Sequence, residues 1–169
     1  MPTPDSAEFG ALYRQHFTAV WRTLRRLGVA PAFVEDAAQE VFVTAFRRWD
    51  DFEGRSSART WLLGIAIRVA SDARRKQRPT EAVPETWASG ASGPEAVTAA
   101  REAMRQVEVL LAELPAERRE VLVLVDVEGY SVPEVAEATG VNPNTLYTRL
   151  RSARRDFEAL LERRAEKTR

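Results

Sequence analysis

Asn144, Tyr147, Thr148, Arg151, Ser152, Arg154 and Arg155 recur near the end of the chain at spacings that share one face of a helix. They carry amide, hydroxyl and guanidinium groups. Arrayed along a helix, such groups hydrogen-bond base edges, and the arginines also pair with phosphate, which fixes register without reading sequence. The flanking residues supply the geometry that this chemistry needs. Ser131 with Glu134 three residues on is a capping box. Gly140 sits where the chain must reverse, and Asn142 followed by Pro143 is an N-cap with proline at the first helical position. Leu146, Leu150, Ala153, Phe157 and Leu160 make the opposite, apolar side. Two short helices joined by a tight turn are the sequence form of a helix-turn-helix, whose second helix lies in the DNA major groove. The competing reading is a solvated amphipathic helix, but cap, turn glycine and Asn-Pro start occur together and favour DNA.

Two further helix faces carry polar chemistry. Asp36, Gln39, Glu40, Val43 and Arg47 fall on a common stripe of a helix predicted from Pro31 to about Trp49. That stripe suits docking on a basic protein surface, although on the residues alone a solvated face is the plainer reading. In a helix predicted from Ser57 to Gln77, Gly64, Arg68, Ser71 and Arg75 lie on the open side, beside a loop that contains Phe52. A basic face next to an exposed aromatic suits single-stranded nucleic acid. Phe52 as a core residue closing the loop is the alternative.

The elements that position these faces are helical throughout. Phe9, Leu12, Tyr13, Val20, Leu24 and Leu27 recur at helical spacing after a candidate N-cap at Ser6, and Gly28 ends that run. Val34, Ala38, Val41, Ala45 and Trp49 form the buried stripe of the second helix; Trp61, Ile65, Val69 and Ala73 form that of the third. Residues 78–95, rich in Pro, Ser and Gly, break every periodicity and read as a flexible linker, with Trp87 packed on a neighbouring domain. Beyond it come a stripe of Ala100, Met104, Val107, Leu111 and Leu114, and a helix opened by Pro115. Val121 to Val125 alternate as a strand would, but no partner strand is foreseen and a buried helix is expected. The fold class is therefore all-α: two small helical domains, at 6–77 and 96–164, joined by a flexible linker at 78–95.

The balance of 25 basic and 25 acidic residues gives no bulk drive toward nucleic acid. The distribution is uneven, with one basic cluster from Arg68 to Arg78 and four arginines from Arg149 to Arg155. Without cysteine there is no disulfide scaffold, cysteine zinc site or thiol chemistry, which agrees with a reducing cytoplasm. The start lacks the pattern of a signal peptide, and no apolar run is long enough to cross a bilayer. No catalytic set is found: the one histidine, His16, lies within the first amphipathic helix, and no phosphate loop, metal-ligand cluster or nucleophile–base spacing accompanies it. The expectation is no enzyme activity, no metal and no cofactor.

Taken together, the residues resemble a bacterial RNA polymerase sigma factor of the extracytoplasmic-function group of the sigma-70 family, the compact type with only the second and fourth conserved regions. EDAAQEVFVTAF (Glu35 to Phe46) is similar to the family's polymerase-docking helix, FEGRSSARTWLLGIAIRVASDARR (Phe52 to Arg75) to the part that opens and reads the −10 element, and LPAERREVLVLVDVEGYSVPEVAEATGVNPNTLYTRLRSARR (Leu114 to Arg155) to the −35 reader. The resemblance implies an alternative sigma factor that binds core polymerase through the clamp helices of its largest subunit, using Asp36, Gln39, Glu40, Val43 and Arg47. It implies capture of non-template single strand at −10 by Phe52, Arg55, Ser56, Arg68, Ser71 and Arg75. Duplex at −35 would be read by Asn142, Asn144, Thr145, Tyr147, Thr148, Arg149, Arg151, Ser152 and Arg155. An anti-sigma partner is typical of the family, and no membrane contact of the chain's own is implied. The chain departs from the pattern at Ile67 and Arg68, where the family often has Arg-Asn, and at Val125 and Tyr147, where it often has a basic residue. Two rivals remain: a stand-alone helix-turn-helix regulator, and a helical adaptor that docks without reading promoters.

Overall fold

The computed structural model describes residues 6–77 and 96–167; the expected linker, with Trp87, lies outside the described residues. Among the described residues the regular structure is entirely helical. α1 runs Ser6–Arg26, α2 Pro31–Arg47, α3 Ala58–Lys76, α4 Ala96–Glu113, α5 Ala116–Leu122, α6 Val132–Thr139 and α7 Pro143–Lys167. A 3-10 turn, Trp49–Asp51, leads from α2 toward α3, and α5 continues into a π turn, Val123–Val127.

α1, α2 and α3 pack against one another because each has one apolar stripe to hide. Leu24, Leu27, Ala38, Val41, Leu62 and Ala66 are all but inaccessible to water. Each such leucine or valine side chain contributes roughly 1.5–3 kcal/mol by leaving water, and each alanine methyl about 0.8 kcal/mol. The ends of the elements follow local chemistry. Pro31 sits in the first turn of α2, where its missing N–H costs nothing. Ser57 accepts the Thr60 backbone N–H at 3.1 Å and so caps α3.

In the second module α7 is the spine. α5 and α6 lie along its apolar side, and Leu146, Leu150 and Ala153 are buried as the periodicity predicts. Val121 to Val125 are helical, with Val121 to Leu124 inaccessible or nearly so and Val125 packed at their edge. The strand propensity loses because a helix buries these side chains against both α7 and α1. The helix loosens at Val123–Val127, where the Glu128 N–H reaches back five residues to the Val123 carbonyl at 2.9 Å. This widened turn carries Asp126 toward α7 and delivers Glu128 and Tyr130 to the first module. The buried cores meet: one continuous apolar cluster includes Leu24 and Leu62 on one side and Leu122, Val123 and Leu146 on the other.

Candidate nucleic-acid interface

The helix-turn-helix forms as its signals require. The Ser131 hydroxyl accepts the Glu134 N–H at 3.4 Å, while the Glu134 carboxylate accepts the Ser131 N–H at 2.7 Å. Those bonds hold the Glu134 carboxyl below its ordinary value, the backbone bond from Ser131 contributing most. Gly140 ends α6 at φ +71°, a left-handed conformation that glycine adopts without steric cost. Asn142 accepts the Asn144 N–H through its side-chain oxygen at 2.8 Å, which starts α7.

Along α7, Asn142, Asn144, Thr145, Tyr147, Thr148, Arg151 and Arg155 are exposed, while Arg149 and Ser152 are half-buried. Acidic neighbours sort the arginines. Arg149 pairs with Glu117 of α5 at 3.0 Å, and Arg154 is gripped by both carboxylate oxygens of Asp126 at 2.9 and 2.7 Å. Arg155 lies 3.8 Å from Asp156, too far for a strong bond. The Arg151 guanidinium has no partner among the described residues. Tyr147, Arg151 and Arg155 therefore line an open groove of about 330 Å³ with cationic character.

On α2 the sequence stripe is real: Asp36, Gln39, Glu40, Val43 and Arg47 are all exposed. Beside it lies an apolar groove of about 350 Å³ in which Phe9, Tyr13, Phe42 and Phe46 continue the surface of Val43. Val43 is 47% exposed and Phe46 42%, so this is a contiguous water-facing apolar patch of the kind that marks a protein interface.

The third face is different from its sequence reading. Arg68 and Arg75 are exposed and Ser71 is half-buried, but Gly64 is not open. It faces α6 so closely that a Cβ there would lie 3.2 Å from the Ala138 carbonyl oxygen. Phe52 is half-buried, its ring 4.9 Å from that of Trp61 and 6.0 Å from that of Trp49. Arg55 is exposed and paired with Glu53, Arg75 pairs with Asp72, and Ser56 lines a groove with Arg48, Trp61 and Arg68.

Several residues that matter here carried no sequence signal that was read. Arg59 donates to the Glu128 carbonyl and stands 4.0 Å over the Tyr130 ring. Arg26 pairs with Glu128, both nearly buried at 14% and 11% side-chain exposure. Arg74 reaches Glu120 at 3.7 Å, and burial pushes the Glu120 carboxyl up against the pull of that arginine. Burial likewise holds the Arg25 guanidinium down to about 10, with Glu108 of α4 opposing. Arg59 was findable: a cation in the first turn of a helix faces the positive end of its dipole, so it signals a tertiary partner. Among the described residues no group of acidic or histidine side chains is assembled to hold a metal, and no helix is long and apolar enough to cross a membrane.

Known proteins resemble this arrangement over most of its length. The chain matches the family models for sigma-70 region 2 over residues 12–80 and sigma-70 region 4 over residues 104–157. The RNA polymerase sigma factor CnrH of Cupriavidus metallidurans is 31% identical, over 94% of this chain and 89% of that protein. The ECF RNA polymerase sigma factor SigL of Mycobacterium tuberculosis is also 31% identical, over 94% and 91%. Among solved structures, CnrH in complex with the cytosolic domain of CnrY superposes with a TM-score of 0.73 at 29% identity, covering 94% of this chain and 90% of CnrH.

Proposed function

The chain belongs to the extracytoplasmic-function group of the sigma-70 family, and on that premise we propose how its surfaces divide the work of an alternative sigma factor. As such a factor it binds core RNA polymerase and directs promoter recognition and initiation. The module of residues 6–77 docks through Asp36, Gln39, Glu40, Val43 and Arg47 on the basic clamp helices, and captures the −10 non-template strand with Phe52, Arg55, Ser56, Arg68, Ser71 and Arg75. The module of residues 96–164 seats α7 in −35 duplex, with Asn142, Asn144, Thr145, Tyr147, Thr148, Arg151, Ser152 and Arg155 turned to DNA and Arg149 positioned by Glu117. Residues 78–95 join the two. Strand opening then draws on the binding energy of captured bases, so the chain needs no catalytic group or cofactor of its own. It acts in the cytoplasm, where polymerase is.

The observation that carries this reading is the polar face of α7: a capped, rigid helix whose central arginine, Arg151, is exposed and has no partner among the described residues. A stand-alone regulator does not need the exposed stripe on α2, and an adaptor does not need that open face. The apolar groove beside Val43 fits a helix of a sequestering protein, and CnrH, solved with the cytosolic domain of CnrY, supports an anti-sigma partner for this chain.

Run-off transcription with core enzyme on a randomised promoter library tests the assignment. Promoter-specific transcripts are expected from the full chain, and Glu40→Lys is expected to abolish them by placing a cation against a basic surface. Unchanged polymerase affinity in Glu40→Lys would remove α2 as the docking helix.

A further inference from the structure

The arginines of α3 and of the chain leading into it are nearly all occupied. Arg59 lies over the Tyr130 ring, Arg74 reaches Glu120 and Arg75 pairs with Asp72. Ahead of α3, Arg48 is held by Asp51 at 3.0 Å and Arg55 by Glu53. Arg68 is exposed and has no partner among the described residues. Its neighbour Ile67 is only 8% exposed and belongs to the core, so it offers nothing to a ligand. Arg68 lines an open groove of about 160 Å³ together with Ser56 and Trp61; Glu137 lines the same groove without pairing with it. Trp61 and Arg68 are seven residues apart and so share one face of α3, roughly 10 Å from each other along the axis. A long helical side chain leans toward the N-terminus, which carries the guanidinium back toward the indole. The indole itself is braced, with the Phe52 ring 4.9 Å and the Trp49 ring 6.2 Å away.

We propose that Arg68 selects guanine at one position of the −10 non-template strand, with Trp61 as the surface on which that base stacks. The inference rests on the functional reading above and names the base taken at that site. A base lying on an aromatic ring turns its edge toward a cation beside that ring, while its phosphate stays on the strand's outer side. A guanidinium fork needs two acceptors side by side, and guanine offers them at O6 and N7. Adenine puts an N6 amino donor next to N7, which opposes a cation. Thymine's two carbonyls are separated by an N–H. Unpaired cytosine does present O2 beside N3, but its single ring covers less of the indole than a purine does. The paired arginines are suited to a different task, since each must surrender a carboxylate before it can take a new ligand. Arg68 surrenders nothing, as Arg151 surrenders nothing on α7.

Transcription by the full chain on core polymerase, from a library randomised at both promoter elements and marked by transcribed barcodes, reads the preference directly. The parent is expected to favour guanine at one −10 non-template position by about tenfold, the scale of one good bidentate contact. Arg68→Ala is expected to level the four bases at that position while leaving the −35 preference as it was. Arg68→Lys keeps the charge but loses the planar fork. It should keep most of the transcript yield and lose most of the guanine preference. Thermal unfolding of both variants should match the parent, since the side chain is exposed. A −10 preference for another base, cytosine included, overturns the proposal. So does a uniform loss of transcripts in Arg68→Ala that Arg68→Lys restores, because that pattern belongs to a phosphate contact. Promoter-specific transcripts with no base preference that depends on Arg68 overturn this proposal alone. A parent chain that yields no promoter-specific transcripts overturns the functional reading and this proposal with it.

Discussion

α7 and α3 both offer arginines and small polar groups to nucleic acid, yet the fold surrounds them differently. Acidic residues around α7 take up Arg149 and Arg154 and leave Arg151 exposed. Around α3 the acidic residues of α6 lie beside the proposed reading face, with Glu134 bonded to Thr60 and Glu137 lining a groove together with Arg68, which stays exposed. The difference matches the substrates. Duplex DNA exists before the protein arrives, so a rigid and open reader is an advantage. A displaced single strand exists only after melting, and an open single-strand site would bind any unpaired nucleic acid through charge and stacking. Full exposure suits one reader and a face flanked by acidic residues the other.

The largest expected effect tests whether the two regions belong to one folding unit. Leu62→Ala, in a side chain 1% exposed in the shared core, is expected to cost about 2–5 kcal/mol in a single unfolding transition. Two separated transitions in calorimetry, with only the earlier one shifted, would break the comparison by making the modules independent. A smaller loss sharpens it from the other side. Arg151→Ala is expected to weaken binding to −35 duplex by about 1–3 kcal/mol, roughly five- to 150-fold, and to relax preference at one base position. The distance between a dye pair placed by Ala32→Cys and Glu162→Cys, both exposed positions in a chain without cysteine, stays at the parent value. A change in that distance would mean that Arg151 also supports the packing of the two modules, and the contrast between the readers would lose its basis.

The helix-turn-helix was legible residue by residue because its determinants are local. Ser131 and Glu134, Gly140, and Asn142 with Pro143 each act within one turn of chain, and each forms the bond or conformation that its type favours. The α2 stripe was legible for the same reason, since periodicity alone decides which side faces out. The close approach to Gly64 was not, because it depends on Ala138, 74 positions away in sequence. No local preference of either residue encodes that approach. The strand-like alternation at Val121 to Val125 misled propensity but not topology, since helical packing buries Val121 to Leu124 and packs Val125 at the edge of the core. The cross-module contacts were hidden because Arg26, Arg59 and Glu128 are types usually found in solvent, and only the near-burial of Arg26 and Glu128 and the stacking of Arg59 on Tyr130 set them apart.

The smallest effect lies at the rim of the same junction. His16 is half-buried in a crevice with Arg59 and Tyr130, and burial, then the Arg59 cation, lower its pKa from the ordinary 6.5. The closed, folded chain therefore holds His16 neutral, while the unfolded chain takes up a proton more readily. Its contribution to stability is fully present above pH 6.5 and is lost as pH falls below that value toward the lowered folded one. Protonation places a second cation beside Arg59, which weakens the arginine's hold on the Tyr130 ring, so the loss should fall on closure first. Lowering the pH from neutrality should lengthen the dye-pair distance before helical content declines. In His16→Gln that early step should vanish while the later, carboxylate-driven unfolding remains. An identical distance profile in parent and His16→Gln would show that the acid sensitivity of the junction does not reside in His16, and would remove α1 as its proton sensor.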